Sequence, residues 1–380
     1  MNSKDVEKVL VTGGAGFIGS HVVDSLVELN YETTVLDSLE EQVHGNERVK
    51  PDYLNPSARF LLGNVLDRGL LDKVLPDVDA VIHLAALVGV GQSMYKVHRY
   101  VDSNTSGTAM LLDAVVNAPN SIRKVVVASS MSIYGEGKYY CEACRAAVYP
   151  DPRSFSQLQA RKWNHACPTC GTPLTDRPTD ERTPSNPASV YAMSKRDQEE
   201  MALLIGKSYG IPTVALRLFN VYGPRQALSN PYTGACAIFS SRILNGKPPY
   251  LFEDGMQLRD FIHVRDVARA VVLALEQADA DYMPINIGSG RRISILELAK
   301  ALVEHYGAKM EPYVSGEFRK GDTRHCYADI TLARRLLGFE PSIDLREGLA
   351  DLARWGKTHG WGSVDLFENA LKELREKRLT

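Results

Sequence analysis

Val9-Leu10-Val11-Thr12-Gly13-Gly14-Ala15-Gly16-Phe17-Ile18-Gly19 runs from an apolar strand pattern through a glycine cluster into a helical pattern that continues to Leu29. Gly13, Gly16 and Gly19 lack side chains where a strand turns tightly into a helix, where a pyrophosphate approaches the backbone, and where helix packs on sheet. The unpaired N–H groups and positive dipole end of such a helix attract phosphate. A second apolar run, residues 33–36, ends at Asp37, about 20 residues beyond the glycines, where a dinucleotide site places its acid. A carboxylate there accepts hydrogen bonds from adenosine ribose hydroxyls and repels a 2′-phosphate. Ser38-Leu39-Glu40 offers no cation to receive one. The unit reads as a site for NAD rather than NADP.

Outward from this unit, apolar runs recur at residues 80–86, 124–128 and 212–218, with helical patterns at 105–117 and 191–206. Strands alternating with helices predict an α/β fold, a doubly wound parallel sheet of Rossmann type. Right-handed crossovers gather the strands' carboxyl ends on one edge, where the ligand crevice forms. The dinucleotide domain is read as residues 1–225. Residues 138–177, rich in Cys, Pro, Arg and aromatics and without a clear period, interrupt it as an insertion. From Gln226 the alternation loosens, so 226–362 reads as a smaller α+β substrate domain, with 263–283 returning to the first domain. The end, 363–380, reads as a charged surface helix over 364–377.

Composition sets limits. The 380 residues carry 44 Lys and Arg against 46 Asp and Glu, a formal charge of −2, so no global field attracts nucleic acid. Residues 1–8 are polar and charged, unlike a signal peptide. The longest apolar stretch, 80–90, contains His83 and falls short of the ~18 residues a membrane helix needs. The expectation is a cytoplasmic protein with neither membrane nor nucleic acid as partner.

Tyr191-Ala192-Met193-Ser194-Lys195 opens a helical pattern. Residues four apart share a helix face, so the phenol and the ammonium point the same way. A phenol is a poor base at its ordinary pKa of about 10. A neighbouring ammonium and an oxidised nicotinamide both favour the phenolate, which then takes the proton of an alcohol as hydride leaves carbon. Ser129-Ser130-Met131-Ser132-Ile133-Tyr134-Gly135 follows the 124–128 strand. Hydroxyls at a strand's carboxyl end face the crevice.

With these pieces the chain resembles the extended short-chain dehydrogenase/reductase family, in its nucleotide-sugar epimerase/dehydratase branch. The matching segments are Thr12 to Gly19, Asp37, His83-Leu84-Ala85-Ala86, Asn104 with Gly107-Thr108, Ser129 to Gly135, Tyr191 to Lys195, Leu216 to Arg225, Arg259 to Val264, Asn286-Ile287-Gly288 and Gly321 to Arg324. The resemblance implies Ser130 as proton relay, Tyr191 as base and Lys195 as anchor of the nicotinamide ribose. It adds Phe17, Ile18, Asn64, Val65, Leu84, Ala85, Ala86 and Asn104 to the cofactor site. Ser132, Asn220 and Arg225 join the substrate site, and Arg259 and Arg324 clamp a diphosphate, which suits the guanidinium fork. His83 and His263 receive no catalytic role.

The resemblance also separates reactions. Dehydratases of the branch carry an acid pair just after the catalytic hydroxyl; here Met131 and Ser132 stand there, and neither is an acid. Epimerisation needs no extra acid. The implied activity is an NAD-dependent isomerase that epimerises a dTDP-, UDP- or GDP-linked sugar at C4 through a transient ketone, working as a homodimer. Val88 stands where UDP-galactose 4-epimerases usually have a lysine, so the sugar stays open, with epimerases acting on dTDP-L-rhamnose one candidate subgroup. A dehydratase, a dehydrogenase and a dinucleotide-sensing binding protein are the alternatives.

Cys141-Glu142-Ala143-Cys144 and Cys167-Pro168-Thr169-Cys170-Gly171 form two Cys-x-x-Cys knuckles within the insertion. Two such pairs predict one tetrahedral zinc held by four thiolates, a closed and therefore structural site. Cys236 and Cys326 read as packed thiols. Arg153, Arg161, Lys162 and Trp163 read first as a solvated face, and second as a reach toward substrate or a partner subunit. The insertion's ends flank the crevice, between Ser130 and Tyr191.

Overall fold

The computed structural model describes residues 6–118, 122–359 and 365–380. Residues 1–5, and 363–364 at the head of the expected C-terminal helix, lie outside the described residues. Seven parallel strands form the main sheet: β1 (Lys8–Thr12), β2 (Glu32–Asp37), β3 (Arg59–Leu62), β4 (Ala80–His83), β5 (Lys124–Ser130), β6 (Thr213–Leu218) and β7 (Pro284–Ile287). Their spatial order is β7-β6-β5-β4-β1-β2-β3. Every residue of β4, β5 and β6 is buried, because helices cover both faces; this is why those strands read as unbroken apolar runs. The order reverses between β1 and β4, which opens a crevice at their carboxyl ends.

The helices of eight or more residues are α1 (Phe17–Glu28), α2 (Gly107–Asn117), α3 (Val190–Tyr209), α4 (Ala235–Leu244), α5 (Val264–Glu276), α6 (Ile295–Tyr306), α7 (Leu345–His359) and α8 (Phe367–Glu376). α1 and α5 pack together on one face of the sheet, burying Val22, Leu26, Val267 and Val271. α3 lies against β5, with α2 beside it. α4, α6 and α7 build a second core around Phe239, Leu298, Leu302 and Leu352. β7 belongs to the main sheet although it falls in the stretch assigned to the substrate domain; the returning segment runs through α5 and on into β7.

The insertion folds as a small antiparallel sheet of Lys138–Cys141, Ala146–Val148 and Thr175–Arg177, with a short helix at Phe155–Gln159. It docks on the second lobe. Thr179 bridges Ala328, and the Tyr139 ring sits 6.1 Å from that of His325. α8 differs from the expected surface helix. It is charged outward, but Phe367, Ala370, Leu371 and Leu374 are buried and face the crevice. Among the described residues, no helix is long and apolar enough to cross a membrane.

Candidate active site

A cleft of about 710 Å³ opens across the carboxyl ends of the main sheet. Gly13 has φ +72°, and a Cβ on it would lie 2.7 Å from the Ala85 nitrogen. A Cβ on Gly19 would lie 2.1 Å from the Gly13 oxygen, so α1 enters the turn at a distance only glycine permits. At Gly16 a Cβ would meet nothing closer than 3.3 Å; the space above it is open toward the cleft.

Asp37 lines the cleft while its carboxylate accepts from the Ala15 N–H at 3.0 Å and the Leu39 N–H at 2.8 Å. One side chain thus ties the glycine turn to β2 and keeps lone pairs for a ligand. Two basic side chains neighbour this corner. Arg99 is paired to Glu40, and burial pushes the His44 imidazole below its ordinary pKa despite Asp37 and Glu40 beside it. Neither stands ready for a 2′-phosphate.

Phe17, Ile18, Asn64, Val65, Leu84, Ala85 and Ala86 all line the cleft. Asn104 does not. It is fully buried, accepts from the Leu87 N–H at 2.7 Å and donates to Leu87 O and Ser194 Oγ. These bonds brace the cleft wall from behind.

Ser189 caps α3 by accepting from the Ala192 N–H, which puts Tyr191 in the first turn and Lys195 one turn on. Lys195 Nζ donates to the Ala128 carbonyl of β5 at 2.8 Å. Ser130, the last residue of β5, accepts from the Ser132 N–H and hydroxyl at 3.1 and 2.9 Å. The three side chains line the cleft, and Tyr191 and Ser130 share a hydrogen bond. Burial pushes the Tyr191 phenol up, and the Ser130 hydrogen bond pulls it part-way back. Burial lowers the Lys195 ammonium to about 7. The protein alone therefore does not hold the phenolate.

His83 is held by Thr12 and Thr108 hydroxyls at 2.7 and 2.8 Å, and burial, with Lys195 behind it, lowers it to about 3. It is a neutral packing residue beneath the site. Burial also lowers His263.

The second wall carries Ser132, Asn220 and Arg259. The buried Asn220 Oδ1, Gln226 Oε1 and Gln257 Oε1 have no partner in the protein. Such orphaned groups are costly unless a ligand satisfies them. Arg225, expected in the substrate site, and Arg324, expected in the clamp, fall elsewhere. Arg225 pairs with Asp24 at 2.7 Å on the far side of α1. Arg324 is 2% exposed and spent on Glu253 and Asp254.

Arg319, unnoticed in the sequence, takes the place facing the cleft beside Arg259. Both guanidinium groups share Asp322, at 3.2 Å from Arg259 and 2.7 Å from Arg319. Burial alone would raise that carboxyl, but Arg319 and Arg259 pull it down to about 2. Two cations on one anion leave positive charge facing the cleft. Gln226, Tyr232 and Gln257 were also missed.

The four Sγ atoms of Cys141, Cys144, Cys167 and Cys170 lie within 4.8 Å of one another, the metal-ligand cluster found among the described residues. Cys141 and Cys170 are 3.5 Å apart and Cys144 and Cys167 3.8 Å. Thiolates at about 2.3 Å in a tetrahedron are separated by about 3.8 Å, whereas a disulfide needs about 2.05 Å. Gly171 has φ +74°, which turns the second knuckle back and brings its N–H onto the Cys167 carbonyl at 2.8 Å. Cys236 and Cys326 are buried singly.

The fold is that of a Rossmann-type enzyme, and Ser130, Tyr191 and Lys195 line its cleft. The chain belongs to the NAD dependent epimerase/dehydratase family, which residues 9–288 match. It is similar to dTDP-L-rhamnose 4-epimerase of Burkholderia thailandensis, 38% identical over 353 residues, 92% of this chain and 95% of that one. It is also similar to dTDP-glucose 4,6-dehydratase of an Actinoplanes species, 31% identical over 92% of this chain and 97% of that one. Among solved structures, UDP-glucuronic acid 4-epimerase from Bacillus cereus, in complex with UDP-glucuronic acid and NAD, matches with a TM-score of 0.75 at 29% identity, covering 92% of this chain and 99% of that one.

Proposed function

We propose that this protein is an NAD-dependent nucleotide-sugar 4-epimerase. The observation that carries the reading is the meeting of Ser130, Tyr191 and Lys195 beside the Gly13–Gly19 cradle, with no carboxylate in the 130–135 turn. The cradle, open above Gly16, and the Asp37 carboxylate fit NAD. Bound NAD supplies a hydride acceptor that becomes the donor for the return step. Tyr191 takes the C4 hydroxyl proton, with Ser130 passing it on. Lys195 anchors a ribose and lends its charge to the phenolate. Asn220, Ser132 and Gln257 hold the sugar, and Arg259 and Arg319 neutralise the diphosphate. Elimination of water needs an acid that Met131 and Ser132 do not provide.

Similarity to dTDP-L-rhamnose 4-epimerase, and Val88 in the cleft wall, favour a deoxysugar on dTDP. The thiol cluster supports one structural zinc. Unpaired thiols in so ordered a cluster fit the reducing cytoplasm. The exposed Val97, Val101, Met193 and Leu204 near and on α2 and α3 support a homodimer through those helices.

A cofactor that is regenerated at every turnover has no reason to leave. NAD is expected to co-purify and to be recovered on denaturation at about one per chain. Recovery of NADP overturns the role of Asp37, and recovery of neither nucleotide overturns the cradle reading.

A further inference from the structure

The insertion and the segment of residues 316–324 meet in one buried ionic network, and Arg153 is its hub. Read from sequence as part of a solvated face, Arg153 is 7% exposed; only Arg161 and Lys162 of that group are exposed. Its Nε donates to Glu136 at 3.2 Å and its Nη1 to Glu253 at 2.9 Å and Trp163 O at 3.2 Å. Its Nη2 donates to the main-chain oxygen of Asp322 at 2.8 Å. Four acceptors from four separate segments match the planar fork of a guanidinium and no other side chain.

Asp322 is the residue whose carboxylate carries Arg259 and Arg319. Arg153 therefore fixes the backbone of the residue that aims both cleft arginines. Other contacts from the insertion grip the same loop. Asn164 accepts from Arg324 Nε at 2.9 Å, and Phe155 packs on Phe318 and under Lys320. Glu136, just ahead of the insertion, accepts from the Arg324 N–H at 2.5 Å. The Trp163–His165 stretch that receives Arg153 is the lead-in to the second knuckle, joined to it by the Leu174 N–H to His165 O bond and the Cys167 N–H to Thr172 O bond. A continuous chain of contacts runs from the four thiols to the two arginines facing the cleft.

We propose that Arg153 is a positioning residue through which the metal knuckle sets the cleft arginines for the diphosphate of the substrate. The inference rests on the reading of the cleft as a nucleoside-diphosphate-sugar site. It assigns the insertion to substrate affinity, and leaves the cofactor cradle and the Ser130–Tyr191–Lys195 centre independent of it.

The test measures binding of dTDP, UDP and GDP by calorimetry to the NAD-loaded protein, in wild type, Arg153→Met, Arg153→Lys and Cys167→Ser, beside NAD content and steady-state kinetics. Wild type binds at least one diphosphate. Arg153→Met weakens it about 10–100-fold, the range of a lost charge-assisted hydrogen bond, with NAD content unchanged, KM raised by a similar factor and kcat within about twofold. Arg153→Lys recovers part of the affinity, because a point charge replaces the charge but not the fork. Cys167→Ser, which substitutes no member of the ionic network, loses affinity in the same way. It carries the test alone if Arg153→Met does not fold. Wild-type diphosphate affinity in folded Arg153→Met or Cys167→Ser overturns the proposal, as does a fall in kcat with KM unchanged. Retention of NAD with no diphosphate bound by the wild type overturns the functional reading itself, and this proposal with it.

Discussion

Tyr191→Phe is expected to lose about 10²–10⁴-fold in turnover, the contribution of a positioned general base, while NAD and nucleoside diphosphate bind as before. The substitution removes one oxygen and leaves the ring in its buried slot at the start of α3, so packing is preserved. That oxygen is the basic atom the centre offers: Lys195 gives one N–H to the Ala128 carbonyl and as an ammonium has only donors to offer, and Ser130 is an ordinary alcohol that accepts from Ser132. Burial pushes the free phenol up, so its proton is released only when ligand charge joins the ammonium, and the loss falls on kcat. Wild-type turnover by the variant, measured with the diphosphate affinity unchanged, removes Tyr191 from the mechanism.

The second large effect concerns the thiols. Wild type prepared under reducing conditions is expected to hold one zinc per chain by elemental analysis, and Cys167→Ser none. Four thiolates at tetrahedral spacing bind structural zinc with apparent energies of about 10–16 kcal/mol, and a serine hydroxyl does not replace a thiolate. The two larger cores, around Val22 and Val271 and around Phe239 and Leu302, contain no residue of the insertion. The variant should therefore keep its main unfolding transition while protease cuts within 138–177. Metal-free wild type refutes the zinc assignment.

The parts of this architecture legible in the sequence are those where local chemistry is decisive. The glycine turn could be read because Gly13 and Gly19 occupy positions that a Cβ would obstruct. The central strands could be read because burial on both faces makes them uniformly apolar. β3 escaped notice because it is an edge strand with Leu62 and Arg59 exposed. β7 was hidden by its place in the chain, beyond a segment of the second lobe. Cys141 to Cys170 were legible from spacing alone.

The clamp was not legible. Arg319 and Arg324 lie in one short loop, and the sequence carries no sign that Glu253 and Asp254, far away in the chain, claim Arg324 and leave Arg319 to the cleft. Arg225 is diverted in the same way by Asp24. Pairing across the fold decides which guanidinium is free. The stripe of α8 was available as Phe367, Ala370, Leu371 and Leu374, spaced for one helix face, but its many charges drew the reading outward.

The central claim is that C4 of a nucleotide-linked sugar is inverted with return of its own hydrogen. The most direct measurement is proton NMR of a nucleotide-sugar panel, dTDP-L-rhamnose included, turned over in D₂O. The account predicts a product inverted at C4 that carries no deuterium on that carbon, with no net growth of NADH absorbance. A 4-keto-6-deoxy product, deuterium at the inverted carbon, or stoichiometric NADH would contradict it.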